Sequence, residues 1–179
     1  MRIISGKYKG RRINAPKNLP ARPTTDFAKE ALFNIINNNY YFEQLSVLDL
    51  FAGIGSISYE FASRGAKNIT SIDSHFNSIK FIKKTAEELN LPIQPIKSDV
   101  FSYLEKTTLK YNIIFADPPY EFTVEQLTKL VSLIFERELL LEEGMLIIEH
   151  SKHNDLSENK YFSHLKKYGG SVFSFFEVS

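Results

Sequence analysis

Val47-Leu48-Asp49-Leu50-Phe51-Ala52-Gly53-Ile54-Gly55-Ser56 reads as a short apolar strand that stops at a glycine turn and opens into a helix. The apolar run is too short for a buried helix, and Ile54, Ile57 and Phe61 then recur at helical spacing to about Arg64. The same alternation repeats downstream. Ile69–Asp73 is a second strand, and Phe76, Ile79, Ile82, Ala86 and Leu89 mark a helix closed by Asn90 and Pro92. Ile93–Lys97 is a third strand, Asn112–Ala116 a fourth, 123–136 a helix and Met145–Ile148 a fifth strand. Strands alternating with helices predict an α/β fold, a parallel sheet covered on both faces through right-handed crossovers. Tyr161–Tyr168 and Ser171–Val178 flank Gly169-Gly170, a two-residue hairpin signal, so the sheet should end in an antiparallel pair. Upstream, Thr25 or Asp26 can cap a helix over 26–38, carried by Ala28, Ala31 or Leu32, and Ile35.

The length of 179 residues suits one domain with a core of its own. An apolar fraction of 43% with 24% charged residues belongs to a soluble globular chain and excludes a disordered or fibrous one. Cysteine is absent, which removes disulfides, thiolate metal sites and cysteine nucleophiles. No apolar run approaches the ~18 residues that cross a bilayer, and no apolar stretch follows the basic start, so neither a membrane span nor a signal peptide is expected. A cytoplasmic monomer is the expectation.

The net charge of +1 hides an asymmetry. Residues 1–22 hold Arg2, Lys7, Lys9, Arg11, Arg12, Lys17 and Arg22 and no acid, a charge of +7. Residues 23–179 hold 15 basic and 21 acidic groups, a charge of −6. Such a split points to a basic arm that meets a polyanion, each Lys or Arg on a phosphate releasing counterions; a solvated basic terminus is the bland alternative. The alternation over residues 2–13 suggests a short hairpin turning near Gly6 or Gly10. The chain therefore divides into a basic arm, 1–25, and an α/β domain, 26–179.

In open α/β sheets ligands bind beyond the carboxyl ends of the strands, where strand order reverses. Gly53 and Gly55 let the backbone turn tightly there, and the helix that follows offers free amides. Asp73 follows Gly53 by 20 residues, at the end of the second strand, where a carboxylate can take a ribose diol. Ser58 stands where the dinucleotide fingerprint has its third glycine, which counts against NAD.

Asp117-Pro118-Pro119-Tyr120, directly after the fourth strand, is the most specific feature of the chain. Two prolines stiffen the loop and hold the Asp117 carboxylate, the Pro118 carbonyl and the Tyr120 ring in fixed relation. Two acceptors and an aromatic face match an exocyclic amine on an extruded nucleobase. A strand-ending turn with a surface tyrosine is the plainer alternative.

Together the two motifs resemble the class I S-adenosylmethionine-dependent methyltransferases that act on amino groups. The resemblance implies a Rossmann-like sheet of seven strands with the last antiparallel, and a cofactor site at Asp49, Phe51, Ala52, Gly53, Gly55, Asp73, Asp99 and Val100. Asp99, in Ser98-Asp99-Val100 after the third strand, would contact the adenine amine. Asp117, Pro118, Pro119 and Tyr120 would form the catalytic loop, with S-adenosylhomocysteine as product and no metal. The basic opening and Arg22-Pro23-Thr24-Thr25-Asp26, with Glu30 and Phe33, narrow the likeness to the RsmD-type 16S ribosomal RNA guanine-N2 methyltransferases. That likeness implies a 16S ribosomal RNA substrate within an assembling small subunit, held by Arg2, Lys7, Lys9, Arg11, Arg12, Arg22 and Thr24. Phe27-Ala28-Lys29 stands where that family tends to be more basic. An adenine-N6 methyltransferase on DNA or RNA and a protein glutamine-N5 methyltransferase remain as rivals. An NAD oxidoreductase would have no use for Asp-Pro-Pro-Tyr. His150 and His153 lack a third metal ligand and read as a polar surface turn, and Phe173, Phe175 and Phe176 as packing.

Overall fold

A computed structural model describes residues 1–19 and 24–178. After the N-terminal segment come α1 (Asp26–Asn39), a 3₁₀ turn (Phe42–Gln44), β1 (Ser46–Leu50), α2 (Ser56–Ser63), β2 (Asn68–Asp73) and α3 (Phe76–Glu88). They are followed by β3 (Ile93–Lys97), α4 (Val100–Lys106), β4 (Tyr111–Ala116), α5 (Val124–Glu136), β5 (Leu140–His150), β6 (Phe162–Tyr168) and β7 (Ser171–Glu177). Seven strands form one sheet in the order β3-β2-β1-β4-β5-β7-β6. The first five run parallel, and β7 pairs antiparallel with both β5 and β6. The class I methyltransferase sheet expected from the sequence is the one observed.

Strand alternation sorts the core into two layers. Val47, Ile113, Phe115, Met145, Ile147, Phe173 and Phe175 face Ala28, Leu32, Phe33 and Ile36 of α1 and Ile57 and Phe61 of α2. Leu48, Leu50, Ile114, Ala116, Leu146, Ile148 and Phe176 face α4 and α5 on the other side. The three C-terminal phenylalanines are fully buried.

Three local readings change. The segment after β3 holds α4, a short helix that Asp99 caps by accepting from the Ser102 amide at 2.9 Å. The fifth strand is longer than Met145–Ile148 and runs from Leu140 to His150. His150 is accordingly no surface turn. It is buried on β5, where its Nδ1–H donates to the Ser151 carbonyl at 2.8 Å and its Nε2 meets Ser174 Oγ at 2.7 Å. That burial lowers the His150 pKa.

The N-terminal segment folds back on itself. Ile3 N–H donates to Arg11 O at 2.9 Å and Ile13 N–H to Met1 O at 3.0 Å, so residues 1–3 lie antiparallel to 11–13. Ile3 and Ile13 are buried against Tyr59, Ile82 and Leu89. The buried Glu60 carboxylate accepts the Ile4 and Ser5 amides at 2.9 and 3.0 Å and pairs with Arg64 Nε at 2.9 Å. Lys29, fully buried, reaches the same carboxylate at 3.8 Å and donates to Arg2 O at 2.7 Å and to Ser56 Oγ at 3.2 Å. Burial lowers the Lys29 pKa, and the Glu60 carboxylate opposes that shift. Tyr8 OH donates to the Leu89 carbonyl, and Ser63 Oγ donates to Ser5 O at 2.6 Å.

Removing the carboxylate would leave Lys29 as an uncompensated buried charge and two amides without their acceptor. Glu60→Ala should therefore cost about 3–5 kcal/mol of stability. Urea unfolding followed by circular dichroism measures it, and a loss below about 1 kcal/mol would show that the network does not anchor the segment.

Candidate active site

Strand order reverses between β1 and β4, since the chain winds outward through β2 and β3 and then returns to the other side of β1. The loops that leave these two strands, 51–55 and 117–123, are thereby neighbours at the carboxyl edge of the sheet. The Asp117 amide donates to Leu50 O at 3.4 Å, which continues the β1–β4 ladder into the second loop.

The first loop is tightly wound. Phe51, Gly53 and Gly55 have φ of 57°, 57° and 88°, all in the left-handed region. For Phe51 that conformation costs roughly 1–2 kcal/mol, so the surroundings must enforce it. They do so through Ala52 N–H on Ile72 O at 2.9 Å and Gly55 N–H on Ala52 O at 2.8 Å. A Cβ on Gly55 would lie 2.8 Å from the Tyr59 ring, whereas a Cβ on Gly53 would meet nothing within 4 Å. Among the described residues, Gly53 thus borders open space and no side chain caps the N-terminus of α2.

Asp73, at the end of β2, is held by both oxygens. Oδ2 accepts from Gly53 N–H at 2.8 Å, and Oδ1 accepts from His75 N–H at 2.8 Å with His75 Nδ1 3.1 Å away. Asp99 is exposed at the start of α4, and Val100 beside it is buried. Three partly buried rings meet beside the loops: Phe51 meets Phe122 edge-on at 5.4 Å, and Phe122 lies 6.3 Å from Phe101 at 16°. Carboxylates after β2 and β3, an open glycine turn and flanking rings fit a nucleoside that carries a ribose diol and an exocyclic amine. Sequence reasoning missed Phe101 and Phe122, although each lies within two residues of a quoted motif.

Asp49 does not reach this space. It is 2% exposed and sits behind the loop, accepting from Ser58 Oγ at 2.6 Å, while Ser58 Oγ and Ser71 Oγ are 2.6 Å apart. Burial pushes its pKa up to about 7 against the Ser58 hydrogen bonds, and the Asp73 charge adds to the rise. Ser58 therefore fills the place of the third glycine with a hydroxyl that anchors an acid.

In the second loop Asp117 is half-buried, Pro118 buried, and Pro119 and Tyr120 exposed. Phe122 N–H donates to Pro119 O at 2.9 Å, and Asn154 Nδ2 to Phe122 O at 3.4 Å. Thr123 then opens α5 with a capping box, exchanging hydrogen bonds with Gln126 at 2.9 and 3.2 Å. A groove of about 1050 Å³ lies at the opposite edge, among Tyr40, Glu143, Tyr161 and Val178, and contributes nothing to either loop.

The residues read as RNA contacts fall into two groups. Lys7, Lys9, Arg11 and Arg12 are exposed, and Arg2 is half-exposed in an ion pair with Asp26 at 3.2 Å. Thr24 instead donates to Glu149 Oε2 at 2.7 Å. Arg22 lies outside the described residues. Among the described residues no three His, Cys, Asp or Glu side chains gather as a metal site, and no helix is long and apolar enough to cross a membrane.

The sequence model of the family described as Conserved hypothetical protein 95 matches residues 1–177. The chain belongs to this family. Its relatives include the Ribosomal RNA small subunit methyltransferase D of Escherichia coli K12, 30% identical over 96% of this chain and 86% of that one. The enzyme of the same name from Buchnera aphidicola subsp. Baizongia pistaciae is 34% identical over 83% of this chain and 75% of that one. Among solved structures, the Thermus thermophilus 16S rRNA N2 G1207 methyltransferase RsmC, in complex with AdoMet and guanosine, superposes with a TM-score of 0.69. It is 22% identical and is covered over 45% of its length, against 89% of this chain. The family member described here is thus a methyltransferase with the class I fold.

Asp49 gives this member a measurable signature. Its folded pKa lies above the unfolded value of about 4, so the native state holds the extra proton between about pH 4 and 7. The stability it contributes is fully present below pH 4 and is lost as pH rises through 7, with a slope of about 1.4 kcal/mol per pH unit. In Asp49→Asn that slope should vanish from urea unfolding measured across the same pH range, and an unchanged slope would show that Asp49 is ionised throughout.

Proposed function

We propose that this protein transfers a methyl group to the exocyclic N2 amine of a guanine in 16S ribosomal RNA, in the cytoplasm, within an assembling small subunit. The observation that carries the reading is the pairing of the Asp117-Pro118-Pro119-Tyr120 loop with the open glycine turn across β1 and β4. The family relationship supports it, since the named relatives are small-subunit ribosomal RNA methyltransferases.

When bound, S-adenosylmethionine supplies a methyl already activated on a sulfonium, so the protein's contribution is positioning and electrostatics. Asp73 would take the ribose hydroxyls and Asp99 the adenine amine, with Phe51, Ala52, Gly53, Gly55 and Val100 shaping the walls. Asp49 acts from behind, fixing Ser58 and hence the start of α2. Asp117 and the Pro118 carbonyl would accept the two N2 hydrogens and aim the nitrogen lone pair at the methyl carbon. Tyr120, 46% exposed, would stack on the base. The Asp117 carboxylate, or water, would take the proton that the amine gives up on accepting the methyl. Arg2, Lys7, Lys9, Arg11, Arg12 and Arg22 would hold phosphates of the same RNA.

Asp117→Ala should reduce transfer of a radiolabelled methyl to small-subunit RNA by well over tenfold, about 1.4 kcal/mol of barrier, while calorimetry shows cofactor affinity unchanged. Transfer surviving within tenfold would remove Asp117 from the reaction. For the basic face, truncation is the wrong test because Ile3 and Ile13 are core residues. Lys7, Lys9, Arg11 and Arg12 changed together to Gln should weaken RNA binding and flatten its salt dependence, with cofactor affinity kept. Equal affinity at every salt concentration would reject the arm.

A further inference from the structure

We propose that Phe27, held edge-on by Tyr168, is a stacking platform for an unpaired base of the substrate RNA, with Lys166 on an adjoining phosphate. The inference rests on the RNA reading above and adds a binding site remote from the reacting amine.

Phe27, the second residue of α1, is 65% exposed, and its ring meets that of Tyr168 at 6.1 Å and 79°. An edge-on contact covers little of a ring, so a face of Phe27 stays open. A lone exposed apolar side chain is ordinary. This one ends a line of rings, because Tyr168 in turn packs 6.2 Å from the fully buried Phe173. A ring supported from the core gives up little rotamer freedom when a base stacks on it.

The start of α1 lies at the edge of the sheet that carries the proposed site. Thr24, three residues before Phe27, donates to Glu149 Oε2 at 2.7 Å and so ties this end of the helix to the carboxyl end of β5. His150, the last residue of β5, pairs with Val172, Val172 with Lys167, and Tyr168 with Ser171. Tyr168 therefore stands at the edge from which the Asp117 loop leaves β4. Three strand spacings separate β6 from β4, about 14 Å. At about 3.4 Å per stacked nucleotide, that is a reach of a few nucleotides from the target base.

The charge on this side suits a nucleotide. Lys166 stands opposite Phe173 on β7, so it shares the α1 side of the sheet with Tyr168, and it is exposed. Asp26, the acid next to Phe27, is paired with Arg2 at 3.2 Å. An aromatic face with a cation on the same side takes a base and its phosphate together, and any base has a face to offer. A basic protein segment would instead meet Lys166 as a like charge.

The test uses the full-length protein and small-subunit ribosomal RNA assembled with its proteins. Phe27→Ala should weaken binding to this particle by about fivefold or more, with calorimetric affinity for S-adenosylmethionine unchanged. Phe27→Leu keeps apolar bulk without an aromatic face and should lose as much, whereas Phe27→Tyr should bind as the wild type does. Lys166→Gln should lower the slope of log affinity against log salt by about one. With p-benzoylphenylalanine in place of Phe27, near-ultraviolet light should crosslink the protein to a nucleotide of the RNA. Wild-type affinity in Phe27→Ala or Phe27→Leu overturns the platform while the methyl-transfer reading stands. A crosslink to a ribosomal protein alone does the same, since the ring would then be a protein contact. A wild type that neither binds the particle nor methylates its RNA overturns the RNA reading, and the platform with it.

Discussion

The hydrogen-bonded seam between β1 and β4 is the constraint on which the site depends. Each strand brings one loop, and under the proposed function neither loop alone has both a nucleoside cradle and an amine acceptor set. The seam extends past the last regular pair through the Asp117 amide on Leu50 O, so the second loop is fixed before the two prolines begin. A slip of one residue in this register would shift the Asp117 loop against the glycine turn and break the Asp117 amide's bond to Leu50 O. The cost of such a slip is high, because Ile113 and Ile114 on the slipping strand would exchange faces of a sheet buried on both sides.

Behind the seam, buried polar groups hold conformations that apolar packing would not. The left-handed Phe51 and Gly53 are retained by bonds to β2, through the Ile72 carbonyl and the Asp73 carboxylate. Asp49, Ser58 and Ser71 form a chain from β1 through α2 to β2. The raised pKa of Asp49 reflects that place, since its charge faces Asp73 as well as the apolar layer. In a dinucleotide fold a third glycine brings helix and strand together. Here a serine hydroxyl makes the same approach by hydrogen bonding.

What the sequence made legible were the features written in short-range pattern. β3 begins and ends where the alternation places it, and the glycine turn and the Pro-Pro loop sit at their strands' carboxyl ends. α4 was hidden because its seven residues are mostly aromatic or polar and give barely two turns of periodicity, though Asp99 is its cap. The far end of β5 was hidden by Glu142, Glu143 and Gly144, which break the apolar run without breaking the strand. Lys29, Glu60 and Glu149 were beyond reach for another reason. As letters they are ordinary surface charges, and only their contacts across the fold make them buried. Hence the two helix-borne charges that tie down the N-terminus, and the strand-borne one that accepts from Thr24, needed tertiary structure to be seen.

The N-terminal segment joins these themes. Its alternation of basic and apolar residues is a division of labour: Ile3 and Ile13 enter the core, and Lys7, Lys9, Arg11 and Arg12 remain outside. A tether would bring phosphates near the site at any angle and leave positioning to chance. A segment pinned by two amides on Glu60, by Tyr8 on Leu89 and by two isoleucines places its cations at set positions relative to β1 and β4. Under the proposed function those cations select by distance. An RNA is accepted only if its backbone can follow that face while one base reaches Asp117. Sequence-independent phosphate contacts then contribute to specificity through geometry, which suits a substrate recognised by its folded shape.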